Sequence, residues 1–125
     1  MTSAPSPIAL TLGDPAGIGL EITLKAWQTL RHDGALRFFL LADPDHLEQR
    51  ATQVGVEAPI TSIASPVDAL DCFAETLPVM PLVNQVRARP GKPDPADAPA
   101  VIESIERAVT LARAGEASCV ATNPI

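Results

Sequence analysis

The stretch Ile8-Ala9-Leu10-Thr11-Leu12-Gly13-Asp14-Pro15-Ala16-Gly17-Ile18-Gly19 decides how the rest of the chain is read. Its first five residues are a short apolar run closed by turn residues, the pattern of a strand buried on both faces. From Gly19 the period changes. Leu20, Ile22, Leu24, Ala26, Trp27 and Leu30 recur at helical spacing, and Gly34 marks the stop. A buried strand running directly into an amphipathic helix is the opening unit of a parallel sheet.

The cycle then repeats. Arg37 to Ala42 is a second apolar run, ending at the capping turn Asp43-Pro44-Asp45. A helix over 45–54 carries Leu47, Ala51 and Val54 on one side, with Gly55 as its C-cap. Pro59 to Ile63 reads as a third strand. Between Ser65 and Val86, Pro66, Pro78 and Pro81 cut the apolar segments short. That region reads as irregular chain with one or two short strands, antiparallel ones on a sheet edge. Pro90-Gly91-Lys92-Pro93-Asp94-Pro95 is an exposed loop whose fixed φ angles resist pairing. In the helix that follows, Asp97 is the cap and Pro99 suits the first turn. Ala98, Val101, Ile102, Ile105, Ala108, Val109 and Ala112 form its apolar stripe, and Gly115 ends it. Cys119-Val120-Ala121 reads as a buried closing strand. The expectation is an α/β fold over residues 8–125, a mostly parallel sheet with helices on both faces and right-handed crossovers. A loose tail over 1–7 precedes it.

Composition sets the outer limits. The chain has 125 residues, 15 acidic and 9 basic, for a net charge of −6, and 46% of it is hydrophobic. One domain with a real core is expected. The acidic balance, with no Lys/Arg cluster and few aromatics, argues against nucleic-acid and anionic-membrane partners. No uncharged apolar run approaches the roughly 20 residues that span a bilayer, and the first seven residues lack a signal-peptide pattern. A cytoplasmic protein is expected, with Cys72 and Cys119 as buried free thiols.

Ligands of open α/β sheets bind beyond the carboxyl ends of the strands. Two strand ends carry suitable residues. In the first, Gly13, Gly17 and Gly19 let a backbone approach a ligand closely, and the helix behind them favours an anion. Their spacing is neither G-x-G-x-x-G nor a P-loop. Asp14 would repel a phosphate but could orient a cation, a hydroxyl or a lysine. A tight strand-to-helix turn with Asp14 as a local cap explains the same residues. The second strand end is Thr122-Asn123-Pro124-Ile125, where Thr122 and Asn123 could bond a polar ligand, although turn chemistry accounts for them equally well. His32 and His46 stand without a partner at ligand spacing, so no metal site is expected within this chain. Trp27 reads as core.

Taken together, Leu10-Thr11-Leu12-Gly13-Asp14-Pro15-Ala16-Gly17-Ile18-Gly19-Leu20-Glu21 resembles the N-terminal signature of the 4-hydroxythreonine-4-phosphate dehydrogenase family. Ala121 to Ile125 resembles that family's Thr-x-Pro motif, and the proline-rich loop with the helix after it is similar in order. Leu20 departs from the proline usual there. The resemblance implies a fold similar to isocitrate and isopropylmalate dehydrogenases, with two α/β domains and a cleft completed across a homodimer. It implies NAD or NADP, a divalent metal (Zn, Mg or Co), and a small phosphorylated substrate. That substrate, 4-hydroxy-L-threonine phosphate, is oxidised and decarboxylated to 3-amino-2-oxopropyl phosphate on the way to pyridoxal phosphate. It further implies that the catalytic and metal-binding histidines lie beyond Ile125, so the chain is a truncated N-terminal part, inactive alone. Gly13, Asp14, Gly17, Ile18, Gly19, Thr122 and Asn123 are then the expected cleft residues. Two other readings remain: a paralogue acting on another hydroxy acid or diol, and a stand-alone, non-catalytic binding domain.

Overall fold

The strand that opens the chain does form, over Ile8–Thr11 (β1), and it runs into helix α1, Gly19–Leu30. The computed structural model describes residues 6–125. The remaining elements are β2 (Phe38–Ala42), α2 (Pro44–Val54), β3 (Ile60–Ser62), α3 (Asp68–Cys72), β4 (Leu77–Pro81), α4 (Ala98–Arg113) and β5 (Val120–Ala121). A one-turn 3-10 helix, Pro95–Asp97, leads into α4. The five strands form one all-parallel sheet in the order β3-β4-β2-β1-β5.

Burial follows from that order. β2 is central, and all five of its residues are buried. Phe38, Leu40 and Ala42 face Leu20, Leu24 and Trp27 of α1 and Leu47 of α2, while Phe39 and Leu41 face Ala69 of α3 and Ala108 of α4. Trp27 is fully buried, as expected, and its indole N–H donates to the carbonyl of Phe73 at 2.8 Å. Asp43 caps α2 by accepting from the Asp45 N–H, and Gly55 closes it with φ +70°. α1 stops at Leu30, ahead of Gly34, and Ile22 is 44% exposed rather than inside.

Several expectations are corrected. The segment 65–86 contains a helix and a strand, and β4 is parallel and interior, between β3 and β2, not antiparallel at an edge. Its prolines are tolerated because parallel partners alternate. Leu77 bonds toward β3 and Leu82 toward β2, so Pro78 lacks a donor only on the side where pairing with β2 has not begun. Pro81 lacks one only where β3 has ended.

The apolar stripe expected for α4 holds only in part: Ala108 is buried and Val101 and Ala112 pack against the core, but Ala98 is exposed and Val109 is 42% exposed. Its sheet-facing residues are Ala100, Ser104 and Ala108, and Ile102 is 54% exposed. Small side chains let the helix approach the sheet closely. The Ser104 hydroxyl then bridges two strands, accepting from the Leu12 N–H and donating to the Leu41 carbonyl, both at 2.9 Å.

Asp97 occupies the N-cap position but caps nothing. Its buried carboxylate accepts from the N–H groups of Arg87 and Ala88, each at 2.8 Å. The preceding 3-10 turn already holds its backbone in a helical conformation, so the side chain is free for the 86–88 segment. Finally, Cys119 is exposed and Val120 and Ala121 are only half-buried, since β5 is a two-residue edge strand. Cys72 is half-buried, and burial pushes its thiol up, away from thiolate reactivity. Residues 1–5 of the expected tail lie outside the described residues. Ser6 and Pro7 are bonded, the Ser6 hydroxyl donating to the Gly115 carbonyl and the Pro7 carbonyl accepting from Ser118. Among the described residues no helix is long and apolar enough to cross a membrane.

One clamp outside the sheet makes a pH prediction. The Glu103 carboxylate accepts from the N–H groups of Val83 and Asn84, from the Asn84 amide and from Arg107 at 2.8–3.0 Å. Burial pushes its carboxyl up, but those donors outweigh it and hold the group below the ordinary carboxylate range. A depressed folded-state value stabilises above the unfolded one and loses that stabilisation as pH falls through the folded value. Glu103→Gln should therefore cost about 1 kcal/mol at pH 7. Urea unfolding should show the difference shrinking as pH falls below the ordinary carboxylate value of about 4.3 toward the lower folded one; a pH-independent difference would refute the assignment.

Candidate functional site

The pairing of β5 beside β1, with Leu10 opposite Ala121, sets the two motif-bearing strand ends next to each other. The loop after β1 and the residues after β5 are then joined by side-chain and backbone bonds. The Asn123 amide donates to the carbonyl of Thr11 and to the hydroxyl of Thr23, both at 2.9 Å. Thr23 in turn donates to the Gly19 carbonyl at 2.9 Å, and the Asp14 N–H donates to the Pro124 carbonyl at 2.8 Å.

This accounts for two of the three glycines. Gly13 has φ +73°, and a Cβ there would sit 2.6 Å from the Asn123 Cβ and 2.7 Å from the Pro124 oxygen. A Cβ on Gly19 would sit 2.9 Å from the Asn123 Cβ. The space that these glycines open is filled by Asn123, which is buried. At Gly17 a Cβ would meet only ordinary contacts with Asp14, so its lack of a side chain is not forced by crowding.

The loop carbonyls are engaged as well. Arg50 of α2, 1% exposed, donates to the carbonyls of Pro15 at 2.8 Å and Gly17 at 2.9 Å. The Gly91 N–H donates to the Ala16 carbonyl at 2.8 Å. Burial pulls the guanidinium below its usual range, opposed by the charges of Glu21 and Asp14. Sequence reasoning missed Arg50. The signal was present, since it lies between Leu47 and Ala51 on the inner stripe of α2, where a charge demands partners.

Asp14 serves its own turn, accepting from the Ala16 N–H at 2.9 Å. The surfaces left open are the half-buried Asp14 and Gly17, the Ile18 side chain at 59% exposure, and Thr122. Beside them is a cavity of about 190 Å³ lined by Asp14, Asp94, Asp97, Val101 and Ile125 among others. Of the expected residues, Gly13, Gly19 and Asn123 are packed together inside, while Asp14, Gly17, Ile18 and Thr122 stay partly or fully exposed around them. His32 is exposed near the end of α1. His46 is buried, with Nε2 2.7 Å from the Ala88 carbonyl. Among the described residues no three of His, Cys, Asp and Glu converge to hold a metal ion.

The comparisons with known proteins point one way. The family described as pyridoxal phosphate biosynthetic protein PdxA matches residues 35–125. The 4-hydroxythreonine-4-phosphate dehydrogenase of Methylorubrum populi is 49% identical over 100% of this chain, which spans 36% of that protein. That of Xanthobacter autotrophicus is 46% identical over 98% of this chain, 35% of its own length. Among solved structures, the Burkholderia phymatum 4-hydroxythreonine-4-phosphate dehydrogenase superposes with a TM-score of 0.81 at 26% identity, covering 96% of this chain and 36% of its own. The Klebsiella pneumoniae structure of the same name gives 0.76 at 28% identity, covering 95% and 37%. The chain spans about a third of the length of the relatives it matches.

Proposed function

The chain belongs to the pyridoxal phosphate biosynthetic protein PdxA family, and from that premise we propose that a protein of its relatives' length carrying this chain is a 4-hydroxythreonine-4-phosphate dehydrogenase. The observation that carries the reading is the 49% identity, across the whole chain, to a protein of that name. The proposed reaction is the NAD- or NADP-dependent oxidation of the substrate's secondary alcohol. The β-keto acid so formed loses carbon dioxide to leave 3-amino-2-oxopropyl phosphate. The reading includes a divalent metal, a homodimer and a cytoplasmic location, as the family resemblance implies.

Within that protein this chain supplies one wall of the cleft. Asp14, Gly17, Ile18 and Thr122 make its surface, and Gly13, Gly19, Asn123 and Arg50 hold it in shape. The described residues do not themselves fit either reactive group. No metal-ligating set converges among them, and the glycine cradle that a dinucleotide backbone would need is occupied by Asn123. Hydride transfer and decarboxylation are therefore assigned to no residue here.

The test is an assay of the relatives' length of protein with 4-hydroxy-L-threonine phosphate, each nicotinamide cofactor, and a chelator control. Reduced cofactor and carbon dioxide appearing together, and lost with chelation, is the expected result. Turnover of another hydroxy acid or diol in preference to this substrate would replace the reading with a paralogous activity.

A further inference from the structure

Away from the loop, the segment 86–89 lies against α2, with Val86 and Ala88 buried and Arg87 and Arg89 exposed. Their backbone is firmly held. Val86 donates to Asp43, Arg87 and Ala88 donate to Asp97, and the Ala88 carbonyl meets His46. Just beyond, Arg89 bridges Lys92 across a turn at Gly91 (φ +72°), and Gly91 is itself tied to Ala16.

The two arginines form one wall of an open groove of about 770 Å³, and Gln49 and Gln53, one turn apart on α2, line the other. No Asp or Glu lines it, although the chain carries 15 of them. Among the described residues the only ion pair is Arg107 with Glu103, so neither groove arginine is neutralised. The carboxylates that approach the segment, Asp43 and Asp97, are already used by its backbone N–H groups. Two arginines without an ion pair and two glutamines lining one groove make a set with many hydrogen-bond donors. Such a set matches a tetrahedral oxyanion, whose oxygens accept paired N–H donors. Repulsion by the net charge is screened beyond roughly 8 Å at physiological salt. The volume lies in the range of small-molecule sites, about 300–1,000 Å³.

We propose that the groove between α2 and residues 86–89 binds the phosphate group of a small phosphorylated ligand, held by Arg87 and Arg89 with Gln49 and Gln53 opposite. The site is independent of the dehydrogenase reading, because it uses none of the residues assigned to the cleft wall.

The test is an NMR titration of the isotope-labelled chain with inorganic phosphate, AMP and adenosine in parallel. Saturable shifts are expected at residues 86–90 and 49–53 with phosphate and with AMP, and none with adenosine. AMP binding more tightly than phosphate would identify a nucleotide as the source, and equal affinity would identify free phosphate. Arg87→Gln with Arg89→Gln should weaken binding at least about tenfold, the loss expected for one charge-assisted pair. Lys25→Gln, which removes an exposed charge on α1, should leave it unchanged. Both arginines are exposed, so a dispersed spectrum of the double variant separates lost binding from lost folding. Equal weakening by Lys25→Gln, shifts scattered over cations elsewhere, or adenosine binding as well as AMP would overturn the proposal.

Discussion

Replacing Gly13 with alanine should destabilise the chain by about 3 kcal/mol or more and lower its melting temperature by roughly 10 °C. Two costs add. A left-handed backbone at φ +73° is unfavourable for a residue with a Cβ by about 1–2 kcal/mol. The added methyl must also displace atoms at 2.6 and 2.7 Å, one of them the backbone oxygen of Pro124. That oxygen is held by the Asp14 N–H, so the two strand ends must part for the methyl to fit. Gly17→Ala is the internal control. Its Cβ would sit in ordinary contact with Asp14 at 3.4 Å, and it should cost well under half as much. Urea unfolding of both variants checks the pair. Equal costs would show that Gly13 is not the tight point between the strand ends.

Removing the Arg50 guanidinium should have the next largest effect. Arg50→Met keeps the aliphatic stem but orphans the carbonyls of Pro15 and Gly17 that the fork now satisfies. Hydrogen bonds to a charged donor are worth about 1.5–3 kcal/mol each. Part of that is returned because a charge no longer has to be buried, and because one buried nitrogen, Nε, already lacks a partner. A net loss of about 2 kcal/mol is expected. Arg50→Lys should not restore it, since an ammonium cannot span two carbonyls as a planar fork does. The local signature is faster amide hydrogen exchange through residues 14–19 than in the sheet. A neutral or stabilising Arg50→Met would mean that the loop holds its shape through Asn123 and Gly91 alone.

Both predictions concern residues whose type was visible in the sequence and whose partners were not. The strand-to-helix turn at Gly13–Gly19 was legible because a change from an apolar run to a 3.6-residue period is a local signal. The same held for β2, α2 and its Asp43 and Gly55 caps. The glycines were legible as glycines, but a ligand and a neighbouring side chain leave the same mark on a sequence. Only the adjacency of β5 and β1 reveals that Asn123 fills the space at Gly13 and Gly19. β4 was obscured by its prolines, whose missing donors are harmless solely because of where the neighbouring strands begin and end. In α4, hydrophobicity pointed to Ile102 and Val109, which stay exposed, as well as to Ala108, and passed over Ala100 and Ser104, which close packing and a bridging hydroxyl place against the sheet.

The sequence by itself therefore determined the alternation of strands and helices, the parallel class of the sheet, and the two strand ends worth attention. Each of these rests on interactions within a few residues of chain, where periodicity and turn chemistry act. Tertiary structure decided which strand lies beside which, and hence that Asn123, 112 positions from Thr11, locks the glycine loop. It also decided that Arg50 closes that loop from outside. Those outcomes depend on distances across the fold, which residue types along a chain do not encode pair by pair.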